Sequence, residues 1–219
     1  MRPSKSLITA EGYPFIAFSA VLFLLLTSGA LLLKSEALAV PAVISLLLLI
    51  FVISFFRNPE RTAPDDAALV IAPADGTVVY AGPAVQEHLG ACQKISIFMS
   101  VFNVHVNRAP VSGTVVDYFY KPGRFYDARH PKASSENEQC GLVMETEQGV
   151  RVAFVQIAGL IARRILCYAT VGDHLERGHR YGMIRFGSRV DVYLPEGCNL
   201  LVSVGQTTTA GVTALTRLA

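Results

Sequence analysis

The first part of the chain is defined by two uninterrupted apolar runs. Residues 14–33 and 37–56 contain no ionisable side chain, and only Lys34, Ser35 and Glu36 separate them. Each run has about the 20 residues that a helix needs to cross a hydrocarbon core of ~30 Å. A cleaved signal peptide would have a shorter apolar core and would not be followed at once by a second run. The pattern therefore predicts a transmembrane hairpin within an anchor of residues 1–57.

Basic residues flank both ends of this predicted hairpin. Arg2 and Lys5 precede the first run, and Arg57 and Arg61 follow the second. Positive charge favours the cytoplasmic side, so we expect the remainder of the chain on the cytoplasmic face of the cell inner membrane. The alternative, two buried helices of a soluble fold, would need more chain to cover two uniformly apolar cylinders.

From residue 58 onward the pattern changes to short runs of valine, isoleucine and aromatic residues, separated by glycine or proline. Such runs are typical of strands, and residues 58–219 predict one mainly β (β-rich α+β), largely antiparallel soluble domain. One helix is predicted over 158–169, with a strand from 165 to 170 as the alternative. The predicted strands are 69–71, 77–80, 94–99, 113–120, 141–146, 150–157, 189–194 and 200–204.

Composition narrows the class of protein. The chain of 219 residues is 52% hydrophobic and 16% charged, with a net charge of +2. Low charge favours a membrane partner, and a nucleic-acid partner is not expected without a strongly basic face. The four cysteines form no CxxC pair, so we predict reduced thiols and no metal site.

The most reactive candidate is the bond between Gly187 and Ser188. Glycine permits backbone conformations closed to other residues, and the serine hydroxyl can reach the preceding carbonyl, so a strained Gly-Ser bond can rearrange to an ester. Taken alone, Gly-Ser is more often a tight turn. It is not a hydrolase GxSxG elbow, because Arg189 and Val190 follow the serine.

Two further motifs contain residues suited to proton transfer. Asp75 and Gly76 lie in the segment APADGTV, where Asp-Gly between two apolar runs is first of all a hairpin signal. His105 lies in an alternating stretch close to Arg108. A lone histidine in such a stretch is more often a packing residue, although histidine exchanges protons most readily near neutral pH.

Together, in this order and after a two-span anchor, these motifs resemble the phosphatidylserine decarboxylase proenzymes, specifically the short bacterial form. The resemblance covers nearly the whole chain. It also includes KPGRFY at 121–126, SENE at 135–138, QIAGLIARR at 156–164 and RFGSRVD at 185–191.

The resemblance implies self-cleavage into a β chain, 1–187, and an α chain, 188–219, which stay associated. Ser188 would be the nucleophile and would become a pyruvoyl cofactor, with Asp75 and His105 as orienter and base. The ketone would form a Schiff base with phosphatidylserine, and loss of carbon dioxide would leave phosphatidylethanolamine. Longer bacterial forms have a second histidine where this chain has Arg108, so His105 can serve self-cleavage, decarboxylation or both.

The substrate ligands are less well defined. Arg108, Arg185 and Arg189 are candidates for binding the substrate, because guanidinium matches phosphate oxygens in a bidentate fork, while the residue that holds the substrate carboxylate is not indicated by the sequence. Arg57, Arg61 and Arg124 are further candidates for anionic lipid. For each arginine, a solvated surface charge is the simpler interpretation.

Three alternatives remain open at this point. The lipid could be a related aminophospholipid such as archaetidylserine, and the chain could stay an unprocessed, inactive precursor. In a different class, APADGTV also looks like the opening of phosphocarrier and biotinyl domains, although the paired histidines or the lysine beside methionine that these need are missing. The sequence is also compatible with a homo-oligomer.

Overall fold

A computed structural model describes residues 6–160, 164–185 and 187–218. The chain divides into two compact units, the first ending at Glu60 and the second beginning at Arg61.

The first unit is built from two apolar helices, α1 (Tyr13–Leu32) and α2 (Glu36–Phe55), preceded by a short 3-10 turn. Both are long and apolar enough to cross a membrane, because 20 residues of helix extend about 30 Å. They are apolar on all sides and largely exposed, which is the pattern of helices that face lipid. Lys34, in the turn between them, has a φ of +47°.

The base of the hairpin is closed by backbone hydrogen bonds between its two ends. The Thr9 amide donates to Phe56 O at 2.9 Å, and the Asn58 amide donates to Leu7 O at 2.7 Å. The Phe56 side chain lies where a side chain at Gly12 would be, with its Cβ 2.6 Å from the position of an added Cβ. Only glycine at position 12 permits this approach.

The second unit is dominated by strands. Across the chain, 39% of residues are in strands and 22% in helices, which confirms the predicted β-rich class with two apolar N-terminal helices. Its elements in chain order are β1 (Leu69–Ile71), β2 (Gly76–Gln86), β3 (Gly90–Met99), β4 (Val106–Arg108), β5 (Gly113–Lys121), α3 (Ala133–Glu136), β6 (Gln139–Glu145), β7 (Arg151–Ile157), β8 (Arg164–Cys167), β9 (His174–Leu175), β10 (Arg180–Arg185), β11 (Ser188–Pro195), β12 (Thr207–Thr208) and β13 (Ala214–Arg217).

These strands form three sheets in which every ladder is antiparallel, as the sequence predicts. The large sheet has the order β12-β2-β3-β11-β7-β6-β5-β9, a second sheet has the order β4-β10-β8, and β1 pairs with β13. The main core includes Phe154 from the large sheet and Tyr181 from the second, whose rings meet edge to face at 4.8 Å. Strand β11 is central, and its residues from Ser188 to Leu194 are all buried.

One edge of the large sheet collects the ends of several strands. β3 ends at Met99, which pairs with Ser188 at the start of β11, and β7 ends beside them at Ile157. The connection between β5 and β6 leaves this edge at Lys121 and returns at Gln139. We call this edge of the large sheet, with the β5–β6 connection, the Ser188 edge. The opposite side of the sheet is called the far edge.

The structure differs from the sequence predictions in three places. The helix predicted over 158–169 is wrong for the described residues, since 164–167 form β8, the alternative; β8 is stabilised by pairing with β10. Residues 161–163 lie outside the described part. The strand at 200–204 is absent, because only Leu200 makes a bridge there. The segment at 75–76 is no hairpin turn, because its neighbours β1 and β2 pair with other strands.

Candidate active site

Gly187 and Ser188 lie where the chain passes from the second sheet to the large sheet. β10 ends at Arg185 and β11 begins at Ser188. Gly187 has a φ of +45°, a left-handed conformation that glycine adopts without the steric cost of a Cβ. The junction therefore depends on the glycine of the Gly-Ser pair.

The carbonyl group of Gly187 is packed against Gly159. A Cβ added to Gly159 would lie 2.1 Å from Gly187 O and 3.4 Å from the Cβ of Ala128. Heavy atoms cannot approach so closely, so any larger residue at 159 would displace the carbonyl. Sequence reasoning missed this role, although Gly159 lies within the quoted QIAGLIARR segment.

The hydroxyl group of Ser188 is buried and has no hydrogen-bond partner among the described residues. A buried hydroxyl left without a partner costs free energy, and such groups call for a functional explanation. Here the hydroxyl belongs to the residue that directly follows the Gly187 carbonyl.

His105 is fully buried, and its position is set by two neighbours. Its Nδ1 lies 3.0 Å from Asn103 O, and a carbonyl oxygen can only accept. In the neutral ring, Nδ1 therefore carries the proton and Nε2 keeps the lone pair. The Ile184 amide donates to His105 O at 3.3 Å, which ties the histidine to β10 four residues before Ser188.

Asn103 was also missed by sequence reasoning. Its side-chain Oδ1 accepts from both the amide and the hydroxyl of Ser100 at 2.8 Å. This turn fixes the backbone that presents Asn103 O to the histidine. The Ser-x-x-Asn spacing after an apolar run is a turn signal, but the carbonyl itself carries no sequence signature.

Asp75 lies at the Ser188 edge on the other side of β3. A Cβ added to its neighbour Gly76 would lie 2.1 Å from Phe98 O, so β2 is closely packed there. The carboxylate is held by both guanidinium nitrogens of Arg61 and by the Ala210 amide at 2.8 Å. Among the described residues, these are the partners of Asp75. The structure therefore places Asn103 O, rather than Asp75, at Nδ1 of His105. The orienting role of Asp75 stays a prediction.

The three candidate substrate arginines have different surroundings, and Arg189 is the most enclosed. Its guanidinium contacts both carboxylate oxygens of Asp191 at 2.8 and 3.2 Å, Ala128 O at 2.9 Å and Ser134 Oγ. The weaker contact to His130 O is 3.5 Å long. Both terminal guanidinium nitrogens thus donate hydrogen bonds to the protein, while Nε lies 2.8 Å from Asp191 Oδ1 as an ion pair without hydrogen-bond geometry. Arg189 therefore joins β11 to the loop at 128–134.

Arg108 and Arg185 complete this set. Arg108 is 4% exposed and donates to Gly178 O at 2.9 Å. Arg185 is partly exposed and lies directly opposite Arg164 across β10 and β8. Like charges in opposed positions repel each other. Of the three arginines, Arg185 is therefore the one that lies opposite a second arginine.

Two ionisable groups near the Arg189–Asp191 pair have shifted pKa values. Burial, reinforced by the charge of Asp191, raises the pKa of Tyr193 well above its usual value, so its hydroxyl stays protonated and points to that carboxylate at 3.5 Å. A hydrogen bond from Arg129 lowers the pKa of Asp127 to about 2. Both charges of that pair are therefore present at neutral pH.

Two comparisons with known proteins show which family the chain belongs to. Residues 48–216 match the profile of the phosphatidylserine decarboxylase family. Proteins named phosphatidylserine decarboxylase proenzyme are similar over the full chain: 80% identical in Trichlorobacter lovleyi, covering 100% of both chains, and 56% in Geobacter sulfurreducens, covering 98% of both. A protein of the same name in Pelobacter propionicus is 53% identical and covers 100% of both chains.

The protein is thus an enzyme of the lyase class with apolar helices suited to membrane association. It belongs to the phosphatidylserine decarboxylase family. This membership confirms the resemblance seen in the sequence and excludes the phosphocarrier or biotinyl alternative. Within the described ranges, no group of three or more histidine, cysteine, aspartate or glutamate side chains is placed to hold a metal ion.

Proposed function

We propose that this protein converts phosphatidylserine to phosphatidylethanolamine and carbon dioxide, after cutting itself between Gly187 and Ser188. The observation that carries the proposal is the buried Ser188 hydroxyl, without a partner among the described residues, next to a carbonyl packed against Gly159. Family membership supplies the substrate class.

In the proposed self-cleavage, Ser188 Oγ attacks the carbonyl carbon of Gly187. The C–N bond breaks, the amine of Ser188 is released, and Gly187 becomes an ester of the serine oxygen. Loss of the Cα proton and of the ester oxygen then leaves a carboxylate on Gly187 and dehydroalanine at 188. Addition of water and loss of ammonia convert the latter to a ketone. No external oxidant is needed.

We propose His105 as the base for this step. A serine hydroxyl is a weak nucleophile until a base takes its proton, and the base needs an orienting group. The contact of Nδ1 with Asn103 O supports the tautomer in which Nε2 can accept that proton. Asp75 is still proposed as an orienting residue. Its segment lies at the same edge and is held in place by the contacts of Asp75 with Arg61 and Ala210.

The residues present fit a pyruvoyl group at position 188, because the serine lies buried at the start of a central strand. The group supplies a carbonyl that takes up the substrate amine and withdraws electrons as carbon dioxide leaves. Arg189 holds the adjoining backbone through its contacts with the loop at 128–134. In this proposal, His105 returns a proton to the headgroup carbon.

The two products of cleavage are proposed to remain together. Residues 188–219 contain β11, β12 and β13, and each pairs with a strand from residues 1–187. Separation would break all four ladders, since β11 pairs with both β3 and β7, and would expose the core. Residues 1–57 are proposed to anchor the catalytic domain, 58–219, to the cytoplasmic side of the inner membrane, where it would meet its lipid substrate.

The first prediction concerns the cleavage itself. Purified wild-type protein should contain fragments 1–187 and 188–219, with a borohydride-reducible group on the smaller one, and should release carbon dioxide from phosphatidylserine. Ser188→Ala should remain one chain and release none. Intact-mass spectrometry and a carbon dioxide release assay measure the two outcomes, and native gel filtration reports whether the fragments elute together.

Ser96→Ala is a suitable control, because Ser96 is also a buried serine of the large sheet whose hydroxyl has no partner among the described residues. It should be cut as the wild type is. A folded wild-type chain that stays intact, or an uncut chain with full activity, would rule out the proposed maturation.

The second prediction concerns the lipid phosphate. Arg185→Gln and Arg164→Gln should each raise KM for phosphatidylserine by about tenfold, the effect of losing one hydrogen bond to a charged group, with little change in cleavage. Steady-state kinetics in detergent micelles measure it. Arg151→Gln is the matched control, since Arg151 is an exposed arginine at the far edge that pairs with Glu145 at 2.8 Å. An unchanged KM in both variants would contradict this assignment.

A further inference from the structure

We propose that the Ser188 edge docks directly on an anionic bilayer, with Phe102 and Leu160 as the apolar tips that enter the lipid surface. The inference rests on the proposed function only in taking the substrate to be a membrane lipid. It adds a surface by which the domain engages the bilayer in addition to its two apolar helices.

The two tips lie on opposite sides of the reactive residue. β11 runs between β3 and β7 in the large sheet. Phe102 is the third residue after the end of β3 at Met99, and Leu160 is the third residue after the end of β7 at Ile157. Because adjacent strands are ~4.8 Å apart, the strands that carry the two tips flank Ser188 at a separation of about 10 Å.

Both tips are exposed to solvent, whereas the reactive residue between them is buried. Phe102 is 74% exposed and Leu160 is 64% exposed, whereas Ser188 is 0% exposed. A single exposed apolar side chain needs no explanation. Two large ones on either side of a buried reactive group, in a chain with two membrane-length helices, favour a lipid-facing surface.

At this edge, the basic side chains are more exposed than the acidic ones. In the stretch 121–138, all four basic side chains, Lys121, Arg124, Arg129 and Lys132, are exposed, while the three carboxylates are only partly exposed. Arg124 and Lys132 lie within 4.0 Å of the recessed Glu136 carboxylate. The outermost charge is therefore positive, and it attracts anionic headgroups at close range.

The absence of tryptophan from the sequence allows a direct test. Phe102→Trp and Leu160→Trp each create a single-tryptophan protein whose emission reports on its surroundings. In vesicles of phosphatidylserine and acyl-brominated phosphatidylcholine, both should show blue-shifted emission that bromine quenches. Val85→Trp is the control, because Val85 is 82% exposed but lies beside the hairpin of β2 and β3 at the far edge, and it should not be quenched.

A second measurement tests the consequence for turnover. Phe102→Ser with Leu160→Ser should lower activity on bilayer phosphatidylserine by on the order of tenfold, in proportion to the apolar area removed. Activity on a short-chain phosphatidylserine dissolved as monomers should be unchanged. The matched control is Val85→Ser with Val171→Ser, two exposed valines near the far edge, which should affect neither substrate.

Equal quenching at Phe102, Leu160 and Val85, or none at any of them, would overturn the inference, as would equal losses on bilayer and monomeric substrate. Quenching measured in the Ser188→Ala background does not depend on turnover. Failure of the proposed function and failure of bilayer docking are therefore distinguishable.

Discussion

Replacing Gly159 by alanine is expected to slow the self-cleavage of the chain strongly. The added Cβ would lie 2.1 Å from Gly187 O, so the carbonyl that Ser188 attacks must move by about an ångström. A displacement of that size in a reacting group costs on the order of 100-fold in rate. The rate of appearance of fragment 188–219, followed by gel electrophoresis or intact mass, measures the effect.

Gly141→Ala is the matched control for this prediction. Its added Cβ would lie 2.1 Å from the ring of Phe119, an equally short approach, but within β6 of the large sheet and away from the scissile bond. The ring can turn away, so this variant should lose some stability and still be cut. Equal rates of cleavage in the two variants would show that the Gly159 contact has no part in the reaction.

Replacing Asp191 by asparagine is expected to cause the largest loss of stability. The side chains of Arg189 and Asp191 are 4% and 0% exposed, and removing one partner of a buried ion pair leaves an uncompensated charge. The expected cost is about 3–5 kcal/mol of the free energy of unfolding, or a fall in Tm of about 10 °C for a domain of this size. Thermal unfolding in detergent measures it.

The same pair also holds the end of the chain that cleavage would create. After the cut, Arg189 would be the second residue of the 188–219 fragment, and its bonds to Ala128 O and Ser134 would hold that end against the loop. We therefore expect protein of the Asp191→Asn variant that does fold to be cut more slowly. Cleavage at the wild-type rate would mean that the pair serves stability alone.

Glu145→Gln supplies the comparison for an exposed pair. Glu145 bonds Arg151 at 2.8 Å, with side chains 36% and 57% exposed, and water already solvates both charges. The change should cost less than about 1 kcal/mol. A loss equal to that of Asp191→Asn would contradict the assignment of stability to burial of the Arg189 pair.

Local patterns in the sequence were sufficient for the general architecture. The apolar runs predicted both helices to within one residue, because a helix that faces lipid needs only length and uniform composition. The strands at 69–71, 94–99 and 113–120 were predicted because their β-branched and aromatic residues are set off by glycine and proline. The pattern failed at 164–167, where the partner strand β10 decided a conformation that local residues left open.

The chemistry at position 188 was indicated by the Gly-Ser pair and its surrounding motif, while the contacts around it were decided by the tertiary structure. Nothing in the sequence near His105 shows that Asn103 O meets its ring, or that Arg61 holds Asp75. The packing of Gly187 O on Gly159 joins residues that are 28 positions apart in the chain. Such contacts depend on strand order and register, which are set by the burial of the whole sheet rather than by any local run of residues.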